Sequence, residues 1–404
     1  MPLIGSLLSA PYIALFFTAW IIASLWRPVA VVSVVCVLSK PTAAWRKLLI
    51  FISTIRYLVF CNDKTWKQPE DDPDSYFQQQ STAGDGDSKN IERKTIIFVR
   101  HGESSWNDTF NKGSRPVIGF VMYFVPNLIK AAFVEWYFWI SGQANESWFY
   151  DSPLSQKGLE QALSIRAYLR DSTSNLEYAT PKEADLIRTL IGDGGAAGAA
   201  NGDGSINNKV AKKSSQLVSS NLRRAISTIV VGFQDRLAKC LNDGDDNIMV
   251  LDCLQEISRN PDTLSITPAR GSVIPAWTDP KPLGRFYKDR CDTTKHTGNK
   301  PVSTNGLKRL QAFCKNAFED IDRDAIIVGG HSLWFRSFFR TYLPYSFEHV
   351  SKKKKLINGG IVGFSLERIA VPSDNNGAKD DGNNSSSWAY RIDPKSIVVL
   401  HGGF

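Results

Sequence analysis

The sequence predicts an α/β fold, a three-layer αβα arrangement with a mostly parallel central sheet, preceded by N-terminal apolar helices. Three observations lead there. Short β-branched runs, Thr95–Val99, Ile248–Leu251 and Ala325–Val328, alternate with longer stretches of helical periodicity, the pattern of strand–helix–strand units that build parallel sheets. Two of those runs lead directly into a histidine, His101 and just before it Arg100 in the first, His331 in the last. The first 26 residues hold no charged side chain and so stand apart from the rest.

Composition sets the outer limits. The chain has 404 residues, 43% of them apolar and 22% charged. That excludes a disordered chain, a collagen-like chain and a polytopic transporter, and leaves ample length for a core. The net charge is +8, yet residues 1–61 carry Arg27, Lys40, Arg46, Lys47 and Arg56 and no acid. Most of the excess therefore lies at the N-terminus, which argues against nucleic-acid binding and suits a segment facing anionic lipid. The cysteines Cys36, Cys61, Cys240, Cys253, Cys291 and Cys314 show no CxxC or zinc spacing. They read as buried thiols of a reducing compartment.

Residues 1–61 read as a membrane anchor and an amphipathic helix. Met1–Trp26 is long enough to span a bilayer, which takes about 20 apolar residues, although Pro11 leaves Tyr12–Trp26 as the firmer part. A second apolar run, Val29–Leu38, follows. In Ala43–Phe60, Trp45, Leu48, Leu49, Ile52, Ile55 and Val59 recur at helical spacing, with Arg46, Lys47 and Arg56 between them. This is the pattern of a helix lying in the interface, with docking on the protein's own core as the alternative. The basic residues all follow the first apolar run, so the chain after residue 27, and with it the folded domain, is expected to face the cytosol. Residues 62–93, with their DDPD, QQQ and GDGD stretches, read as a mobile polar linker.

The folded domain is expected over residues 94–404. Its elements run strand Thr95–Val99, helix Ser155–Arg170, strand Gln216–Ser219, helix Leu222–Leu241, strand Ile248–Leu251, helix Thr304–Ile321, strand Ala325–Val328, helix Ser332–Tyr342, then strands Ile361–Leu366 and Ser396–Leu400. Two insertions interrupt it. Residues 116–140 are apolar and aromatic, with Lys130 and Glu135 as their charges, and Pro126 is expected to break them into two short segments. They suit either a lid or core helix pair, or a hairpin touching lipid. The insertion near 192–205 is rich in Gly, Ala and Asp, and Ser373–Ser387 is polar; both read as surface loops.

The chemistry gathers at strand ends, where open α/β sheets bind ligands. Arg100 and His101 follow the first strand, and Gly102 permits close backbone approach. An imidazole can hold a phosphoryl group covalently, and an arginine beside it can grip phosphoryl oxygens with two bonds. His331 follows a second strand, Arg224 sits at a strand-to-helix turn, and Glu256 lies past Ile248–Leu251. Arg223 competes with Arg224 for the same role.

The pieces Arg100-His-Gly-Glu-Ser-Ser-Trp-Asn107, Asp151-Ser-Pro-Leu-Ser-Gln-Lys-Gly158, Ser220-Asn-Leu-Arg-Arg-Ala225, Glu256 and Gly330-His331 stand in this order. Together they resemble the histidine phosphatase superfamily, in its phosphoglycerate mutase-like branch, over residues 94–370 apart from the two insertions. The resemblance implies that His101 is the nucleophile that becomes phosphohistidine. It implies a phosphate pocket of Arg100, Arg224 and His331, with Asn107 adding a hydrogen bond. It makes Glu256 the general acid that protonates the leaving alcohol and then activates water, and it favours Arg224, the residue before Ala225, over Arg223. It also implies that neither a metal nor a cofactor is needed. Glu103 reads as structural, and His296, His349 and His401 as ordinary surface or loop residues.

The sequence departs from the glycolytic mutases of that branch. They carry Glu-Arg-His-Tyr-Gly, whereas here the acid is followed by Ile257-Ser-Arg-Asn-Pro261, and the long aromatic insertion replaces a short connection. Both departures favour transfer to water, hence a membrane-associated phosphomonoesterase. A phosphomutase of the phosphoglycerate mutase type and a catalytically silent membrane adaptor are the alternatives. A phosphorylated small molecule, lipid or protein all suit the pocket, and the membrane is engaged through residues 1–61 with 116–140 as a second candidate. The basic segment Arg270–Lys300 reads as a contact for such a substrate or as a solvated loop, and Lys352–Lys355 as a lipid contact or a solvated turn.

Overall fold

The computed structural model describes residues 38–82, 91–111, 116–192, 215–239, 246–371 and 387–404, with scattered positions between 24 and 35. The expected span Met1–Trp26 lies almost wholly outside the described residues, as do most of the loops read at 192–205 and 373–387.

Among the described residues eight strands form one sheet: β1 (Glu92–Arg100), β2 (Ser215–Ser220), β3 (Ile248–Leu251), β4 (Cys291–Asp292), β5 (Ala325–Gly330), β6 (Ile361–Val371), β7 (Ser387–Ile392) and β8 (Val398–His401). Their spatial order is β4-β3-β2-β5-β1-β6-β7, with β8 on β6. The five strands from β4 to β1 are parallel, and β6 runs antiparallel to β1. The central strands read as unbroken apolar runs because both faces are covered. Alternation sorts their side chains. Ile96 and Phe98 of β1, with Ile326 and Val328 of β5, face one core shared with helices Gly306–Lys315 and Ser332–Tyr342. Ile97, Val99 and Ile327 face the other, with helices Gln156–Ser174 and Arg223–Gly232. That makes three layers. Phe98 stacks on Phe335 at 4.1 Å between ring centroids, holding the first of those faces of β1 and β5 against the helix that follows His331.

Local signals account for the helix starts. Ser155 accepts a hydrogen bond from the Gly158 amide, and Asn305 from the Lys308 amide, each an N-cap. The helix Pro181–Ile191, unread in the sequence, opens with a capping box between Thr180 and Glu183. The single helix expected over Leu222–Leu241 divides into Arg223–Gly232 and Gln234–Lys239. The one expected over Thr304–Ile321 keeps α-helical geometry to Lys315 and then loosens into a wider, π-helical turn over Asn316–Asp320.

Two expectations about the N-terminal half need correction. Residues 62–82, read as the start of a mobile linker, are packed on the domain. Asp63 is fully buried and Phe77 nearly so, the Asp72 carboxylate accepts from the Tyr345 amide at 3.1 Å, and Asp74 pairs with Arg391. Acidic composition suggested solvent; distant arginines, lysines and amides instead supply the partners. Pro126 does not break residues 116–140, which form one helix, Val117–Ile140. A proline removes one backbone hydrogen bond without ending a helix whose flanking turns are otherwise sound.

That helix is long and apolar enough to cross a membrane. It is no core helix: Ile118, Met122 and Phe133 are 76%, 70% and 66% exposed. The helix Pro41–Phe60 runs beside it. Its apolar residues Trp45, Phe51 and Val59 are exposed, and it docks through Ala43 and Tyr57. Lys47, expected on a polar face, pairs with Glu135 of the neighbouring helix at 2.7 Å.

Candidate active site

Register builds the site. Arg100 of β1 stands opposite Gly330 of β5, so the next residues, His101 and His331, emerge side by side. The His101 amide donates to the Gly330 carbonyl at 3.0 Å, and its own carbonyl accepts from the Asn358 side chain at 3.0 Å. The two imidazole centroids are 4.9 Å apart. Both rings are buried, His101 at 3% exposure and His331 at 0%.

Gly102 is required by contact. A Cβ there would stand 2.2 Å from the Gly158 carbonyl oxygen, and one on Gly158 would stand closer still to the Glu103 carbonyl oxygen. The Gly158 motif and the His101 motif are thus locked together backbone to backbone, and the Gly102 amide donates to Thr228 Oγ1 at 3.0 Å.

The protonation of His101 follows from its neighbour. Its Nδ1 lies 2.5 Å from the Gly102 carbonyl oxygen. A carbonyl only accepts, so Nδ1 holds the proton and Nε2 keeps its lone pair. Burial pushes the imidazole well below its usual value, and the charges of Arg224 and Arg100 push it further. His331 is lowered the same way, by burial and then by Arg224. Both rings are therefore neutral near pH 7. The Nε2 of His331 pairs with Ser220 Oγ at 3.0 Å.

The two arginines that were open alternatives part company. Arg223 uses its guanidinium on Glu146, at 2.7 Å, and on the Asp151 carbonyl. Arg224, also buried, donates Nη1 to the Asp262 carbonyl at 2.6 Å and lies 3.3 Å from its carboxylate. Arg100 donates Nη1 to the Leu356 carbonyl at 2.5 Å. Among the described residues, the Nε of Arg100, the Nε of Arg224 and Nδ1 of His331 have no hydrogen-bond partner. An unmade hydrogen bond on a buried group costs about 1–3 kcal/mol.

Glu256 reaches the same region through a helix start. Its Oε1 accepts from the Trp334 amide at 2.8 Å and the Ile257 amide at 3.0 Å, and Oε2 from the Leu333 amide at 3.2 Å. It therefore caps the helix that follows His331. Asn107 is less engaged with the group. It lies on the short helix Ser105–Phe110, and its side-chain oxygen accepts from Asn111 at 2.7 Å. Glu103 accepts from Ser155 Oγ at 3.4 Å, and its carboxylate lies 3.7 Å from Lys157 Nζ.

Sequence reading missed Asp262 and Asn358, which have no motif of their own. Asp262 is buried against Arg224, and its Oδ1 is unpartnered. Burial pushes its carboxyl up to about 6, with Arg224 opposing and Glu256 adding to the rise. His296, read as a surface or loop residue, is fully buried, its ring between Asn221 and the Thr267 carbonyl. In the basic segment, Lys300 and Arg290 are buried and so do not serve as solvent-facing contacts.

No family model and no curated protein matches the chain. It is similar to solved phosphatase structures. These include an alpha-ribazole-5'-phosphate phosphatase from Escherichia coli (13% identity, TM-score 0.28, covering 67% of this chain and 90% of that one). A phosphoserine phosphatase from Entamoeba histolytica has 12% identity and TM-score 0.28, covering 67% and 89%. A mycobacterial glucosyl-3-phosphoglycerate phosphatase has 13% identity and TM-score 0.29, covering 68% and 91%. At such identities a common fold does not name a reaction.

Proposed function

We propose that this chain is a phosphomonoesterase of the histidine phosphatase type, held at a membrane with its catalytic domain on the cytosolic side. The observation that carries the reading is His101. It is a buried neutral imidazole with its lone pair on Nε2, set among cations with unmet hydrogen bonds. Nε2 attacks phosphorus, the P–O bond to the leaving alcohol breaks, and the alkoxide takes a proton from a carboxyl group. Water then attacks phosphorus while the carboxylate takes its proton, and the N–P bond breaks, which frees phosphate, returns the lone pair to Nε2 and restores the carboxyl group. Arg100, Arg224 and His331 bind the phosphoryl oxygens and oppose the charge that builds in transfer. Asn107 contributes a further hydrogen bond by donating from Nδ2, since its present bond from Asn111 uses only Oδ1.

Glu256 is the proton donor that the sequence nominates. Asp262 is a second candidate, favoured by one specific observation: a buried, unpartnered carboxyl oxygen on a side chain already touching Arg224. Membrane attachment is supported by the exposed apolar helix Val117–Ile140 and its neighbour Pro41–Phe60. The cytosolic orientation rests on the basic residues that follow residue 27.

The test is direct. The full chain in nanodiscs is mixed with phosphorus-labelled p-nitrophenyl phosphate and quenched in alkaline denaturant, which preserves phosphohistidine. Label on His101 that decays to free phosphate supports the phosphatase. Label passed to an added alcohol acceptor favours the mutase, and a chain that never acquires label is no phosphotransfer enzyme.

A further inference from the structure

A groove of about 810 Å³ runs between the helices Pro41–Phe60 and Val117–Ile140. Sites that take small ligands span about 300–1,000 Å³. Its walls are apolar, with Leu48, Phe51, Ile55 and Leu58 on one helix and Trp136 and Trp139 on the other. Lys47 and Glu135 are the charged residues of the lining, and they pair with each other at 2.7 Å. The Glu135 carboxylate also accepts from Ser147 Oγ at 2.9 Å and from the Trp148 amide at 2.8 Å. The groove therefore carries no net charge, and its one acid is already engaged. A polar ligand would lose its hydration there with little in return, whereas hydrocarbon loses nothing.

The rest of the lining comes from the folded domain, through Ser147, Phe149, Tyr150 and Pro261. Pro261 is one residue from Asp262, whose carbonyl accepts from Arg224 at 2.6 Å, and neighbouring Cα atoms are about 3.8 Å apart. Tyr150 is one residue from Asp151, whose carboxylate accepts from the Arg223 amide at 2.9 Å. The ring of Phe149 lies 6.3 Å from that of Trp106 and 6.1 Å from that of Phe110, on the short helix that carries Asn107. Phe110 in turn lies 6.1 Å from Phe124 of the long apolar helix. Apolar surface thus runs from the exposed helices to the segments that bear Asn107 and hold Arg224. A groove that merely met surrounding lipid would be walled by the two helices alone. This one is closed by loops of the proposed active site.

We propose that this groove holds the hydrocarbon chain of the substrate, which is a phosphomonoester of a long-chain lipid alcohol drawn from the bilayer. This rests on the reading of His101 as the phosphoryl acceptor. The phosphate occupies the pocket of Arg100, Arg224 and His331, and the chain passes Pro261 and Phe149 into the groove. His101 Nε2 takes the phosphoryl group, the P–O bond to the lipid alcohol breaks, and the alcohol leaves with the proton of the carboxyl donor. Water then releases phosphate to solvent, and the uncharged lipid returns to the bilayer. Such a substrate needs a cationic pocket and an uncharged groove side by side, and here the step from Pro261 to Asp262 joins the two.

The experiment measures kcat/KM for ethyl, hexyl, octyl and decyl phosphate, with the full chain in phosphatidylcholine nanodiscs. It is expected to rise about two- to fourfold per added methylene until the groove is filled. Uptake of longer esters by the disc raises rates too, so the slope is read against variants in the same discs. Thr54→Trp and Ala132→Trp each place a ring in the groove from one of its two helices. Both should flatten the slope and leave turnover of ethyl phosphate and p-nitrophenyl phosphate near wild type. A flat wild-type series, or a slope that both variants keep, overturns the proposal. Photolabelling of His101→Ala in the same discs separates the groove from the reading of His101, and decides where a variant loses ethyl phosphate turnover as well. The probes are a phosphatidate and a diacylglycerol, each with a diazirine on one acyl chain. Label at Leu48, Ile55 or Pro261 that favours the phosphatidate and is competed by decyl phosphate upholds the groove, even where the wild type turns over nothing. Equal labelling by both probes makes the groove an ordinary lipid contact, and an absence of label closes it to lipid; either overturns the proposal.

Discussion

Asp63 and Lys300 form a fully buried ion pair, with 2.7 Å between Oδ2 and Nζ. The pair joins the segment after helix Pro41–Phe60 to the loop that bears Glu256 and Asp262. Lys300 Nζ also donates to the Glu256 carbonyl at 2.5 Å and the Ser258 carbonyl at 2.8 Å. The Asp63 carboxylate accepts from the Ser258 amide at 3.0 Å and pairs with Arg309 as well. One buried carboxylate therefore fixes the shape of the proposed proton-donor loop, and it belongs to the N-terminal segment rather than to the sheet. Burial lowers Lys300 to about 8, with Asp63 holding it up against that fall.

Asp63→Ala leaves Lys300 and Arg309 buried without their partner. Breaking a buried pair in this way costs about 3–5 kcal/mol. Thermal unfolding of the full chain should show that loss, and Asp63→Asn a smaller one. A melting curve unchanged in Asp63→Ala would mean that the pair holds nothing.

Truncation should read the same link. Removing residues 1–61 keeps Asp63 but strips Tyr57 and Cys61 from their buried cluster with Tyr150 and Leu264. Removing residues 1–66 takes Asp63 and Trp66 too. Phosphatase activity should fall modestly in the first and severely in the second. Equal activities would detach the N-terminal segment from the catalytic loop.

The pH profile should reflect the depressed imidazoles. His101 and His331 are held well below the ordinary value of about 6.5, so they stay neutral as pH falls through it. kcat/KM should show no His101 loss between about pH 7.5 and 6.5. For stability the sign is the same. The unfolded chain takes up protons first, so the contribution of the neutral rings is complete above about 6.5 and is lost as pH falls from there toward their folded values. An acid limb centred on 6.5 would assign the nucleophile a solvent-like environment.

Glu256→Gln and Asp262→Asn separate the two proton donors. General acid catalysis is worth about 10²–10⁴-fold, so the variant lacking the true donor should lose that much with a poor leaving group and far less with p-nitrophenol. Asp262 ionises at about 6 in the folded chain. If it is the donor, kcat/KM for the poor leaving group declines as pH rises through about 6, and Asp262→Asn removes that limb. A full loss in Glu256→Gln, with Asp262→Asn near the wild-type rate, assigns the proton to Glu256.

Gly102→Ala and Gly158→Ala force a methyl group into the facing backbone. Overpacking usually costs about 1–3 kcal/mol, and backbone atoms yield less readily than side chains. Both variants should melt early and label poorly at His101. Ala at either site with normal stability would mean that the two motifs are not in contact.

The sequence by itself determined the strands and what stands at their ends. β-branched runs buried on both faces fix β1, β3 and β5, and the residue after each strand is fixed once the strand is, so the places of His101 and His331 were legible. The helix begun at Ser155 was legible too, and its cap acts within one turn. Tertiary structure decided what depends on distant partners. The assignment of Arg223 to Glu146 and of Arg224 to Asp262, the role of Asn358 on the His101 carbonyl, and the burial of Asp63 cross 77, 38, 257 and 237 residues of chain. Local pattern carries no information on such pairs. An acidic stretch such as DDPD has the composition of a linker until arginines and amides far along the chain satisfy it. The same reason governs Pro126: whether a proline ends a helix depends on what surrounds the freed carbonyl, and only the folded chain supplies that.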